Sequence, residues 1–283
     1  MYSINEPAAR ALLINLDRSS ERLRLQVEQF RRVGLEFQRV PAVDGSLLSE
    51  EVFRKHAYLW ERPLSRSEVG CLLSHQACWQ HAIRTGLNTV VFEDDVVLAP
   101  EILAFVRQAG KITGSVALNL EARKNPKHLS QKPVVLEGLS GYQVYSMLLG
   151  TTGAAAYLIT PAAARRLIAD VGFRAPIADI YIWNSPGVVQ LQLDPGLAAP
   201  MDKIRGLFGQ SLPRLGETTI VRDMSLTRKV SNPGILVYRL IGQANLAVKK
   251  YKLKNKAILR RVSPLPSIRA SYEAMVKDAL AGQ

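Results

Sequence analysis

The chain has 283 residues, 37 Lys and Arg against 24 Asp and Glu, a formal net charge of +13, 47% hydrophobic residues and two cysteines. This composition excludes a disordered polyelectrolyte and a disulfide-stapled scaffold, and the length suffices for one large core or two smaller ones. No stretch of about 18 uninterrupted apolar residues occurs, so no helical membrane span is expected, and the polar opening Met1 to Arg10 predicts no signal peptide.

Ala11 to Leu16 is an apolar run that predicts a buried strand. Asp17-Arg18-Ser19-Ser20 turns it into a helix, with Ser20 as N-cap, a stripe of Leu23, Val27 and Phe30, and Gly34 as the stop. Glu36 to Val40 predicts a second strand, closed by Pro41-Ala42-Val43-Asp44-Gly45. Strand, helix, strand opens a βαβ unit with a parallel sheet. A short helix and a loop follow over residues 46–62. Ser65-Arg66-Ser67-Glu68 is a capping box, and its helix carries Val69, Leu72, Leu73, Trp79 and Ile83 before Gly86. Cys71 and Cys78 lie two turns apart on it, too far for a bridge, which predicts free buried thiols in a reducing compartment.

Thr89 to Phe92 is a buried strand that runs into Glu93, Asp94 and Asp95. Three adjacent carboxylates repel one another, and a cation or basic partner relieves that cost. Hard oxygen ligands suit Mg²⁺ or Mn²⁺. A solvated strand end is the competing reading, but ligands of open α/β sheets bind beyond the carboxyl ends of the strands, where these acids sit. Pro100 opens a helix to about Ala109, and Val116 to Leu120 predicts another strand. Residues 121–142, with Pro126, Pro133 and several Lys and Arg, predict a mobile loop. Gln143 to Met147 and Ala154 to Ile159 predict paired strands. Thr160-Pro161 starts a helix to about Asp170, Ala178 to Trp183 is a short helix, and Val188 to Leu193 a last strand.

Beyond residue 200 the pattern changes. Residues 221–283 hold 13 Lys and Arg against 3 Asp and Glu, so most of the excess charge lies there. The expected division is a main α/β domain over residues 1–200 and a basic, partly helical extension over 201–283. Gly206 to Asn232 is weakly periodic, Ile235 to about Leu253 predicts a basic amphipathic helix, and Ser267 to Ala281 another. Such a tail suits an anionic membrane surface, or else an ordinary helix packed on the main domain.

Three further groups carry chemistry. Asn15, Arg18 and Arg22 flank a helix N-terminus, a setting for phosphate or nucleotide, with a surface arginine pair as the alternative. Ser74-His75 lies one helix before the acids; a lone histidine is more often structural, yet this one is placed to line the same cleft. Asp179 among apolar neighbours reads either as a general base of raised pKa or as a helix-start acid.

Together these residues resemble glycosyltransferase family 25, the lipopolysaccharide-biosynthesis galactosyltransferases and their relatives. Four blocks carry the resemblance: Ile14 to Arg22; Val40-Pro41-Ala42-Val43-Asp44-Gly45; Leu64 to His75 through Trp79 to Phe92-Glu93-Asp94-Asp95-Val96; and Gly153 to Thr160 with Ala164, Arg165, Arg166 and Leu167. The third is the most specific, with Gly70-Cys71 and Ser74-His75 ahead of three acids. The resemblance implies a GT-A type Rossmann-like α/β/α sandwich with a mostly parallel central sheet. It implies inverting, metal-dependent transfer of a hexose, usually galactose, from a UDP-sugar to a lipooligosaccharide or other cell-surface glycan. Asp95 and Glu93 would then hold Mn²⁺ or Mg²⁺. Asn15, Leu16, Arg18, Arg22, Val43, Asp44, His75, Glu93 and Asp94 would bind the nucleotide-sugar, and Asp179 would be the base. The block Pro176-Ile177-Ala178-Asp179 has one residue more than the family's usual spacing. The expected location is cytoplasmic, peripheral on the inner face of a bacterial cytoplasmic membrane, with no nucleic-acid partner. The same fold with UDP-glucose or a protein hydroxyl, and a non-catalytic basic lipid- or nucleic-acid-binding protein, are the alternatives.

Overall fold

The structure is a computed structural model that describes residues 8–149, 152–171, 177–215, 240–244, 246–248, 251, 253 and 256–281. The first half runs β1 (Arg10–Asn15), α1 (Ser20–Val33), β2 (Gln38–Pro41), a 3₁₀ turn (Gly45–Leu47), α2 (Glu50–Ala57), α3 (Arg66–Thr85), β3 (Thr89–Glu93) and β4 (Val96–Leu98). Then come α4 (Ile102–Ala109), β5 (Val116–Asn119), β6 (Arg123–Ser130), β7 (Val144–Leu149), β8 (Ala156–Ile159), α5 (Pro161–Asp170) and α6 (Ala178–Asn184). The chain closes with β9 (Val189–Leu193), β10 (Ala198–Pro200), α7 (Ile204–Phe208), β11 (Ala257–Val262) and α8 (Ser267–Ala281).

One nine-stranded sheet of order β11-β6-β7-β9-β5-β8-β3-β1-β2 forms the middle layer. Strand alternation sends side chains to opposite faces. Leu13, Val90 and Phe92 face a core with Phe30, Phe105 and Ile268, from α1, α4 and α8. Leu12, Ile14 and Val91 face a second core with Leu72, Trp79, Ala163 and Ile182, from α3, α5 and α6. The chain is therefore an α/β protein with helices on both faces of a large central sheet.

The sheet is mixed where the sequence predicts mostly parallel pairing. β1 pairs in parallel with β2 and β3, and β5 with β9. β8 runs antiparallel between β3 and β5, and β7, β6 and β11 extend the far edge antiparallel. The βαβ signal is local to the first units, and nothing in a strand's own residues states which neighbour it takes. For the same reason β7 and β8, expected as a pair, are separated by β9 and β5.

The expected loop over residues 121–142 contains β6, clamped between β7 and β11. Its polar composition and Pro126 hide it in the sequence. The β11 register slips between Arg260, opposite Lys127, and Val262, opposite Arg123, so Pro126 falls where the ladder is interrupted. The N-cap position of α1 falls one residue earlier than expected, at Ser19, whose side chain makes no capping hydrogen bond, and Gly34 adopts the left-handed conformation at φ 74°. The Ser65–Glu68 capping box is present as predicted, with both reciprocal hydrogen bonds formed.

Beyond residue 200, β11 adds to β6 at the sheet edge and α8 packs against α1 and β4. Of the predicted Ile235–Leu253 helix, residues 240–244, 246–248, 251 and 253 are described and helical; the remainder lies outside the described residues. So does most of the weakly periodic Gly206–Asn232 stretch, from residue 216 onward. Among the described residues, no helix is long and apolar enough to cross a membrane.

Candidate functional site

The carboxyl ends of β1 and β3 meet the start of α3, and a cleft opens between them. Asn15, Leu16, Arg18, Arg22, Val43, Cys71, Ser74, His75, Glu93, Asp94 and Asp95 line it. The parallel β1–β3 register sets Ile14 opposite Glu93, which brings Asn15 next to the acids. The other wall depends on two glycines. A Cβ at Gly70 would lie 2.5 Å from the Val43 carbonyl oxygen, and one at Gly45 2.1 Å from that of Arg66. Only bare backbone lets the Val43–Gly45 loop press against α3. The Ser74 hydroxyl holds the loop there, donating to Gly70 O at 2.7 Å and accepting from the Val43 amide at 2.9 Å.

The three acids have three different environments. Asp94 accepts from Asn15 Nδ2 at 2.7 Å and from Arg22 Nη1 at 3.1 Å. Burial raises its pKa, and the Asn15 bond and Arg22 charge oppose the rise. Asn15 is itself buried and fully engaged: it donates also to Ser19 O and accepts from Arg39 Nε. Arg18 pairs with Asp44, whose Oδ1 accepts from the Ser46 amide and hydroxyl at the start of the 3₁₀ turn.

Glu93 is anchored from behind. His75 Nε2 lies 3.1 Å from Glu93 Oε1, and His75 Nδ1 lies 3.0 Å from the Tyr157 hydroxyl. The Trp79 indole N–H donates to the same hydroxyl at 2.9 Å. Indole nitrogen only donates, so the Tyr157 proton is directed to the remaining partner, His75 Nδ1. That assigns the Nε2–H tautomer, whose proton points at Glu93.

Asp95 is the unsatisfied member. Its Oδ1 is one of two buried side-chain polar atoms without a hydrogen-bond partner among the described residues. Burial and the neighbouring Glu93 charge push its pKa up to about 8. Its backbone is fixed, since Asp95 O accepts from the Met201 amide at 2.7 Å. The buried side chains of Gln26 and Gln29 tie α1 to the acid turn: Gln26 donates to Asp94 O and Val96 O, and Gln29 to Val96 O. The orphaned Asp95 oxygen is a hard ligand of the kind a divalent cation takes, while the three side chains whose ligand atoms converge among the described residues are Cys71, His75 and Glu93.

Asp179 faces the same acids. It lines a cavity with Glu68, Cys71, Glu93, Asp95 and Arg123 that adjoins the first cleft. It is also a first-turn acid of α6, accepting from the Gly153 amide at 3.2 Å and the Ile180 amide at 2.7 Å. Burial raises its pKa, against the pull of those two amides. Asp179 is thus the helix-start acid of one sequence reading, and it carries the raised pKa named in the other. Cys71 and Cys78 are free thiols, and burial raises the pKa of each.

Behind the cavity lies a charged layer that the sequence left inside a loop. Glu121 is fully buried, paired with Arg123, and accepts from the Ala155 amide at 3.2 Å. Lys127, also buried, donates to Gln192 Oε1 at 2.6 Å, and burial lowers its pKa to about 8. A signal for β6 did exist: Lys127 and Leu129, two apart, both point inward.

The family model described as "Glycosyltransferase family 25 (LPS biosynthesis protein)" matches residues 8–180. A "Glycosyltransferase 25 family member" of Anopheles gambiae is 33% identical over 98 residues, 31% of this chain and 17% of that protein. A Haemophilus influenzae protein, named provisionally as a glycosyltransferase, is 28% identical over 172 residues, 58% of each chain. An "Inactive glycosyltransferase 25 family member 3" of Mus musculus is 29% identical over 178 residues, 56% of this chain and 28% of that protein. The chain spans about a sixth of the length of the first curated relatives it matches.

Proposed function

Because the chain belongs to glycosyltransferase family 25, we propose that it is an inverting hexosyltransferase. In this reading it takes galactose from UDP-galactose and delivers it to a lipooligosaccharide or related cell-surface glycan. The observation that carries the reading is the cleft itself: Arg18, Arg22, His75 and the Glu93–Asp95 acids share one wall system, with a carboxylate oxygen of Asp95 left unpartnered.

Asp95 and Glu93 are the residues that would hold Mn²⁺ or Mg²⁺, which when bound neutralises charge on a departing diphosphate. The chain's own residues do the rest. Arg18, at the mouth, and Arg22 set positive charge on the nucleotide side. Asn15 orients Asp94, and His75 orients Glu93. Asp179, across the cavity from these acids, takes the proton of the acceptor hydroxyl. Its raised pKa favours keeping that proton once taken. We place the chain on the inner face of a cytoplasmic membrane, through the exposed Leu240, Ile241 and Leu246 among a lysine-rich stretch.

A thermal-shift screen of UDP-sugars with and without Mn²⁺ tests this. The true donor binds the native state and raises the melting temperature, more so with metal. No shift with any UDP-sugar rejects the reading. The name of the mouse relative supports a second reading, a donor-binding but catalytically silent chain. UDP binding without UDP release in the presence of varied acceptors would favour it.

A further inference from the structure

On the flank of the cavity away from Arg18 and Arg22 a groove of about 890 Å³ opens. Arg123, Lys124, Lys203, Arg205 and Arg214 line it, and Asp202 is the one acid among its described lining residues. Asp202 is already paired with Lys203 at 2.5 Å. Arg205 is turned to the Gln210 carbonyl, at 2.7 Å from Nη2, and Arg123 to Glu121. Lys124 and Arg214 are exposed and have no ion-pair partner among the described residues. Gly206 leaves the groove open beside them: a Cβ there would first meet Lys124 Cδ, at 3.9 Å.

The groove is not isolated. Arg123, Asp202 and Lys203 also line the cavity that holds Asp95 and Asp179. The basic groove therefore adjoins the cavity that holds the acids. A basic stretch on a convex surface is usually a solvated face, but here Arg123 and Lys203 are paired with Glu121 and Asp202, and Lys124, Arg205 and Arg214 focus an unbalanced positive field into one concavity. The donor diphosphate does not account for them, since the nucleotide-side arginines line the other cleft.

We propose that this groove seats a phosphate group carried by the acceptor, so that an anionic glycan docks through Lys124, Arg214 and their neighbours with its free hydroxyl directed to Asp179. The proposal deepens the glycosyltransferase reading and rests on it for the word acceptor; the phosphate site itself is independent of that reading.

The test is calorimetric titration of the full chain with glucose 6-phosphate, with glucose as the uncharged control and UDP plus Mn²⁺ as a separate ligand. The wild type binds glucose 6-phosphate and not glucose, and binding weakens as salt rises. K124E/R214E weakens it by about tenfold or more, in line with two lost charge-assisted contacts, and leaves UDP affinity unchanged. K124Q/R214Q falls between the two and shows that the loss is not misfolding. Vesicles of phosphatidylcholine with phosphatidic acid form a second arm; binding lost in the same variants makes a lipid-borne phosphate the source. Equal binding of glucose 6-phosphate by wild type and variants, no binding by wild type, or displacement of glucose 6-phosphate by UDP overturns the proposal. Failure of UDP alone removes the donor reading and leaves the groove as a phosphate site.

Discussion

His75 and Glu93, on α3 and β3, meet with Nε2 and Oε1 3.1 Å apart. The contact is the front end of a buried chain that starts at the Trp79 indole and passes through Tyr157. It divides the labour among the acids: Glu93 is held, Asp94 is neutralised by Arg22, and Asp95 keeps a free oxygen.

Tyr157→Phe removes the hydroxyl between Trp79 and His75 and leaves a buried indole N–H and a ring nitrogen without partners. A loss of about 1–3 kcal/mol in denaturant unfolding is expected. The ¹⁵N shifts of His75 should report an unprotonated Nδ1 in the wild type and lose that signature in the variant. A wild type with protonated Nδ1 contradicts the assigned tautomer.

Asp95 predicts a pH dependence. Its folded pKa, near 8, lies above its ordinary value of 3.8. Between those two values the unfolded chain releases the proton that the folded chain keeps. Stability therefore falls as pH rises through that window and levels off above pH 8. Asp95→Asn should abolish the fall and be the more stable protein at high pH by about 1 kcal/mol or more. Mn²⁺ should stabilise the wild type more at high pH than at low pH, since a ligand carboxylate must be ionised. Identical pH–stability curves for the two proteins would refute the burial argument.

Asp179→Asn should leave UDP binding intact and cut turnover by about a hundredfold or more, the scale of a lost general base. Released UDP with a competent acceptor is the measurement. Wild-type turnover in the variant moves the base elsewhere in the cavity.

Gly70→Ala places a methyl 2.5 Å from the Val43 carbonyl oxygen and must push the loop off α3. The expected cost is about 1–3 kcal/mol in denaturant unfolding, with weaker UDP binding because Val43 and Ser74 both line the cleft. Gly86→Ala meets no atom within 4 Å, so crowding costs it nothing and only its left-handed backbone is strained. A Gly70 variant no less stable than the Gly86 one would show that the loop tolerates displacement.

Asn15 and the three acids of the first cleft were legible because they sit at ends of strongly patterned elements. An apolar run before Asn15 or Glu93 announces a strand, and the ends of adjacent parallel strands share a rim. The Ser65–Glu68 box was legible because capping is local chemistry. What stayed hidden depends on long-range pairing. Glu121, Arg123 and Lys127 look like loop residues until β7 and β11 close over β6. Gln26 and Gln29 look like surface positions of α1 until the acid turn folds onto them. Tyr157 reads as one more apolar strand residue, and its hydroxyl gains meaning only beside His75.

The position of β11 also sets the order of events as the chain is made. Ala257 pairs with Ser130, so the strand that covers β6 is translated more than a hundred residues after it. During that interval β6 presents an open hydrogen-bonding edge to any neighbouring chain. Lys124 and Asn125 are exposed and Pro126 lacks an N–H, which makes that edge a poor template for aggregation. Lys124, which lines the groove in the finished protein, thus also makes this edge a poor partner for a sibling chain while β11 is still to be made.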